Sequence, residues 1–435
     1  MEILIKAAQL ILSLSILVVL HEFGHFLPAK WFKTKVEKFY LFFNPGFSLL
    51  KFKKGETEYG VGWLPLGGYV KIAGMIDESM DKEQMKKPAQ PWEFRSKPAW
   101  QRLIIMVGGV TVNLVLGFLL FAMIMGVWGR TFLPVENTTY GVHPDTVMEQ
   151  YGFQDGDLPI EANGKPIESV NQLNKDLLLE DISTVTITRE GARKTLEIPA
   201  DFGQLLIDSG VKVPFSTRIP AVIDTVIHGT PAFAAGMQKG DSLIAVNDVN
   251  SPFFQDLASE IRNSKDQEIS ISFYRDGTLN EKSIEVTEEG TIGFGPKNPF
   301  EYKTIEYGFL EAIPAGFELA GNVLSDYVVS LKFLFSEAGV KQVGGFIAIG
   351  NLFEAEWNWH SFWHTTALLS LILAFMNILP IPALDGGHVL FLLYEIITGR
   401  APSEKFLERA QLIGIIILLG LLLLANGNDI IRVFF

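Results

Sequence analysis

The sequence predicts a polytopic α-helical membrane protein of four spans, with a β-rich region between the first two and a duplicated β-rich domain between the second and third. Three observations predict it: four apolar blocks near the length that crosses a bilayer, a large acidic insert dividing them, and a glycine–aspartate pattern that occurs twice in that insert. The 435 residues suffice for two or three domains, and 48% are apolar, more than an ordinary soluble chain carries. A net charge of -13 argues against nucleic acid as a partner. The absence of cysteine excludes disulfide scaffolds, thiolate metal sites and cysteine nucleophiles, so any metal must be held by nitrogen and oxygen.

The first block, residues 1–29, predicts a span with His21-Glu22-Phe23-Gly24-His25 near its end. Its apolar length and the lack of a following small-residue cleavage site set it apart from a cleaved signal peptide. Residues 30–102 carry fourteen Lys/Arg against eight Asp/Glu, and an uninterrupted second span follows at 103–129. Residues 130–360 reverse that balance, with seventeen against thirty-four. Positive residues beside spans stay cytoplasmic, which puts 30–102 inside and the insert with both termini outside. The third span, 361–398, is interrupted by helix breakers from Asn377 to Gly387; the fourth, 410–426, is short and Leu/Ile-dense. Ahead of the third span, within 303–340, Leu310, Ile313, Phe317, Ala320, Leu324, Tyr327, Leu331 and Leu334 recur every three or four residues. They predict an amphipathic helix, kinked or started by Pro314, that packs on the second repeat or lies on the membrane surface.

Within the insert, Gly152-Phe-Gln-Asp-Gly156-Asp157 and Asn163 match Gly236-Met-Gln-Lys-Gly240-Asp241 and Asn247 at the same offsets. Each copy continues through a helical stretch to an alternating strand and an Arg-acid-Gly turn, at Gly191 and Gly277. The two copies, 135–200 and 218–298, resemble tandem PDZ domains. No metal-ligand cluster is expected in them, and His143, His228, His360 and His364 read as surface residues.

His21 and His25 stand one helical turn apart on one face, where both reach a zinc ion, and Glu22 beside them is free to act on a water. The alternative is a pair of core histidines hydrogen-bonded to Glu22. Ionisable residues at the end of an apolar span are expensive and functional by default, which favours the metal. A catalytic site needs a third ligand, and Asp385 is the strongest candidate because Pro380, Pro382, Gly386 and Gly387 break the helix around it at membrane depth. Glu395 reads as a snorkelling interface residue and His388 as a support for the site.

These elements resemble the site-2 protease family of intramembrane zinc metalloproteases over nearly the whole chain. His21-Glu22-Phe-Gly-His25 matches the family's first motif and Asn377-x-x-Pro380-x-Pro382-x-Leu384-Asp385-Gly386 its second. The tandem PDZ insert between spans two and three is an arrangement found in bacterial members. The resemblance implies a Zn2+ cofactor on His21, His25 and Asp385, Glu22 as general base, and Asn377 with Pro380 and Pro382 supporting the active site or substrate. Gly109-x-x-x-Asn113 looks like a further family element, with Val110 where the family has proline, so a detailed role for Asn113 is open. Residues 55–72 resemble the family's membrane-associated β-hairpin region, and the segment Tyr59, Val61, Trp63 would offer an edge to an unwound substrate. The implied function is cleavage of single-span membrane proteins, such as trimmed anti-sigma factors or signal-peptide remnants, in a bacterial inner membrane with the PDZ pair and both termini periplasmic. The PDZ pair would contact or gate the substrate's outer segment. The competing class is a non-proteolytic PDZ scaffold, against which Glu22 speaks, since a structural zinc site needs no free carboxylate.

Overall fold

The computed structural model describes residues 1–65, 67–75 and 88–434; positions 66 and 76–87 of the expected 30–102 region, and 435, lie outside the described residues. The chain divides into two compact units, Met1–Arg130 with Glu306–Phe435, and Thr131–Ile305.

In the first unit, α1 (Glu2–Trp31) stays helical through both histidines and past Pro28. The chain then forms β1 (Val36–Leu41), β2 (Leu50–Lys54), β3 (Thr57–Val61) and β4 (Tyr69–Ile72), one sheet in the order β2-β3-β1-β4. β2 and β3 form a hairpin turned at Gly55 with φ 63°, so its first strand lies ahead of the expected 55–72 region; β3 also pairs parallel to β1, and β4 runs antiparallel to β1. Tyr59 and Val61 therefore sit on an inner strand with both neighbours taken, which corrects the expectation of a free edge there; the outer strands are β2 and β4. Val36 and Ile72 from the sheet pack with Ala29 of α1 and with Ile105 and Met106 of the next helix, α2 (Ala99–Trp128). The two helices cross with backbones touching: a Cβ on Gly24 would lie 2.4 Å from the Gly108 carbonyl oxygen, and one on Gly108 would lie 2.0 Å from that of Gly24. Small residues are what allow such approach where lipid removes the hydrophobic drive.

The second unit opens with β5 (Arg130–Phe132) and ends with β18 (Lys303–Ile305); these two pair, and the Thr131 and Thr304 hydroxyls meet at 2.8 Å. Between them, the first repeat holds β6 (Val142–Pro144), β7 (Leu158–Ala162), β8 (Lys165–Pro166), α3 (Val170–Leu179), β9 (Thr184–Arg189), β10 (Ala192–Glu197), α4 (Phe202–Asp208) and β11 (Phe215–Thr217). The second holds β12 (Ile223–Val226), β13 (Ser242–Val246), β14 (Val249–Asn250), α5 (Phe254–Asn263), β15 (Glu268–Arg275), β16 (Thr278–Glu285) and β17 (Phe294–Pro296). The sheets β10-β9-β7-β8 and β16-β15-β13-β14, and the pairs β11-β6 and β17-β12, are one topology twice. The repeated residues build the same scaffold in each. Asp157 is fully buried, pairs with Arg189 at 2.7 Å and accepts the Gln154 N–H; Asp241 does the same with Arg275, at 2.7 Å, and the Gln238 N–H. Asn163 and Asn247, at φ 48° and 47°, use the left-handed tolerance of asparagine at a tight turn and accept the next strand's N–H groups.

Back in the first unit, α6 (Phe309–Ser330) carries Pro314 inside it and packs along α2. Its contact residues are Ala312, Gly316 and Ala320, four apart; a Cβ on Gly316 would lie 2.2 Å from the Ala122 Cα. The helix thus rests on the second span. The expected third span is two helices, α7 (Trp359–Ile378) and α8 (Asp385–Thr398), because Pro380 and Pro382 supply no backbone donors to the six-residue linker between them. α9 (Glu404–Phe434) is longer than the apolar stretch at 410–426. By length and composition α1, α2, α7 and α9 can cross a membrane. Helix α2 is the hub on which α1, α6, α7 and α8 pack. Hydroxyls tie it further, Ser370 donating to the Asn113 carbonyl at 2.7 Å and Thr366 to Ser13 at 3.0 Å.

Candidate active site

The i, i+4 spacing aims His21 and His25 from one face of α1. Their Nε2 atoms are 3.3 Å apart, and Asp385 Oδ2 lies 3.3 Å from His21 Nε2 and 3.2 Å from His25 Nε2. A tetrahedral zinc with bonds of about 2.0–2.1 Å separates its ligand atoms by about 3.3–3.4 Å, so this triangle fits such an ion. Asp385 Oδ2 is buried and receives no hydrogen bond among the described residues, as befits an oxygen whose lone pair awaits a cation.

The histidines are held in a matching state. His25 Nδ1 donates to the Ile105 carbonyl at 2.8 Å, leaving the Nε2 lone pair toward the centre of the triangle. His21 Nδ1 lies 3.4 Å from the Asn113 side-chain nitrogen, while Asn113 Oδ1 is buried without a partner. In either amide orientation Asn113 can hydrogen-bond His21 Nδ1; the one in which Oδ1 accepts from the Nδ1–H leaves the His21 Nε2 lone pair for a metal. Asn113 thereby orients His21 although Val110 replaces the family's proline. Gly109, one turn before it, is required by space: a Cβ there would lie 2.3 Å from His25 Nε2 and 2.7 Å from His21 Cε1.

Asp385 is the first residue of α8, where the helix N-terminus favours a negative charge. Gly386 and Gly387 let that first turn fold against the linker, for Cβ atoms would lie 2.2 Å from the Leu379 and 2.6 Å from the Ile381 carbonyl oxygens. Ala383 is held at φ 84°, a strained conformation for a residue with a side chain.

A cavity of about 530 Å³ joins the three donors to Glu22, Asn377, His388 and the outer strand β4. Pro380 and Pro382 shape the linker without lining the cavity, and Tyr59, Val61 and Trp63 do not line it either. Trp63 instead donates its indole N–H to the Pro45 carbonyl at 3.0 Å. Glu395 pairs with Arg102 at 2.5 Å rather than snorkelling alone. Lys71 and Gln411 are among the cavity residues that escaped the sequence reading. Lys71 on β4 sits in a segment read as hairpin, and Gln411 is a lone carboxamide at the head of the fourth apolar block, a signal available but unused.

The repeats do contain a second group of donors, contrary to expectation: His143 Nδ1 lies 2.7 Å from Asp155 and 3.9 Å from Asp256. Arg218 lies between the same two carboxylates, at 4.0 and 3.4 Å, and stacks on Phe253 at 3.6 Å. A fixed guanidinium already compensates these charges, so the group reads as a salt-bridge network joining the repeats.

Residues 9–421 match Peptidase family M50. The chain belongs to that family. As a member it is a zinc metalloprotease, and a role solely as a non-proteolytic scaffold is set aside. The protease is 30% identical to a putative zinc metalloprotease of Vibrio cholerae, with 99% of each chain covered. It is 28% identical to the Protease RseP of Yersinia pestis and 26% identical to the regulator of sigma E protease of Haemophilus influenzae; each comparison covers 99% of this chain and 100% of the relative.

Proposed function

We propose that the protease cleaves single-span membrane proteins within or beside their transmembrane helix, with zinc on His21, His25 and Asp385 and Glu22 as general base. The observation that carries this reading is the 3.2–3.3 Å triangle of donor atoms set against helix breakers in an apolar region. Bound zinc supplies Lewis-acid polarisation of the scissile carbonyl and acidifies the attacking water. Glu22 takes the proton from that water and returns it to the leaving amine nitrogen. Asn113 and the Ile105 carbonyl keep both imidazoles in the tautomer this needs.

A helical peptide bond is shielded, so the substrate must unwind and find new backbone partners in a place with little water. β4 is the outer strand that lines the cavity, and we assign strand addition to it in place of the inner strand β3. The two repeats are proposed to be PDZ domains that contact or gate the outer segment of the substrate. The charge asymmetry between residues 30–102 and 130–360 supports a periplasmic location for them and for both termini in a bacterial inner membrane. The test is a reconstituted single-span substrate: Glu22→Gln should keep near-stoichiometric zinc and lose cleavage, while Asp385→Ala should lose zinc as well. Full cleavage by the Glu22→Gln protein removes the mechanism.

A further inference from the structure

We propose that Gln411 is a substrate-binding residue, its carboxamide hydrogen-bonding the backbone of the unwound segment as a second anchor beside β4. The inference rests on the function proposed above. Gln411 is only 5% exposed, lies on α9 among Leu and Ile, and lines the catalytic cavity. It has no hydrogen-bond partner among the described residues, yet it is not one of the sealed polar groups such as Gln9 Oε1. Its polar atoms thus open onto the cavity. A carboxamide placed there without a partner is costly unless something that enters the cavity satisfies it.

Gly414 supplies an independent observation. It is one turn on and on the same face of α9, and a Cβ there would lie 1.6 Å from the Pro382 carbonyl oxygen. Backbone contact therefore seats this face of α9 on the linker that leads into Asp385, and no larger residue would allow that approach. Two other polar groups near the donors have tasks: Glu22 handles protons, and Asn113, outside the cavity lining, orients His21. Gln411 offers one acceptor and two donors, the complement of a peptide unit stripped of its helical partners.

The test uses the full-length, zinc-loaded protein in detergent and two probes. Acetohydroxamate reports the metal alone; a peptidyl hydroxamate adds backbone amides. Gln411→Leu should weaken the peptidyl hydroxamate about tenfold and leave acetohydroxamate and zinc content unchanged. KM for a test substrate should rise with little change in kcat, and Gln411→Glu, which keeps the acceptor, should fall between. Gln411→Met, unbranched, serves if the leucine variant fails to accumulate. Equal affinity of wild type and Gln411→Leu for the peptidyl probe would overturn the inference. So would parallel loss of both probes or of zinc, which would make Gln411 a support of the metal site. If neither hydroxamate binds the zinc-loaded wild type, the reading of the site itself fails, and this inference with it.

Discussion

Replacing Gly109 by alanine adds one methyl group and tests the site more sharply than removing a ligand. The new Cβ would lie 2.3 Å from His25 Nε2, whereas ordinary contacts begin at 3.4 Å, so one of the two must move by about 1.1 Å. Coordination tolerates roughly 0.2 Å. The helices cannot open easily to absorb the difference, because Gly24 and Gly108 already touch through their backbones next to the site. Zinc affinity should fall 10–100-fold, about 1.4–2.8 kcal/mol, with cleavage lost in proportion. Chelator competition on purified protein measures the affinity, and Gly126→Ala is the control, since its Cβ meets only the Ala312 methyl at 3.2 Å. Wild-type zinc affinity in Gly109→Ala would refute the placement of His25 Nε2 at the metal.

Proline at Val70 or Lys71 should cut cleavage at least tenfold with zinc retained, whereas Lys51→Pro on the opposite outer strand should not; equal effects would remove the special role of β4. Arg275→Ala leaves the buried Asp241 carboxylate unpaired, at a cost of roughly 3–5 kcal/mol, and limited proteolysis should then nick the second repeat before the first. Deleting residues 138–294 with a short flexible replacement should preserve zinc and cleavage of a trimmed substrate while admitting one that keeps its outer domain. Continued refusal of the untrimmed substrate would move size selection elsewhere.

Apolar length located α1 and α2 well, and the recurring Gly-Asp and Asn offsets disclosed the duplication, because those residues form the same buried pairs in both copies. That His21, His25 and Asp385 should meet was also readable, since few polar groups interrupt the apolar blocks. The sheet order was not, for a parallel partner such as β1 for β3 leaves no local trace. The α6 stripe was legible, but only part of it faces α2: Ala320 and Leu324 join that cluster and Phe317 meets Phe118. Leu310 is 77% exposed, and the seam is made by Ala312, Gly316 and Ala320, because in lipid large apolar residues gain nothing by turning inward. Prolines announced a break after Asn377, but no periodicity says whether the helix resumes in line.

The pairing of β5 with β18 gives the insert the character of a cassette. Its entry and exit are neighbouring strands, about 4.8 Å apart, so whatever replaces the intervening residues needs only to close a hairpin. Closure entropy grows slowly with loop length, and one repeat, two or none would burden the helical unit almost equally. The insert is therefore exchangeable as a unit, while Gly24, Gly108 and Gly109 are fixed by contact. Another paired-end domain could be grafted onto Thr131 and Thr304 at the same junction.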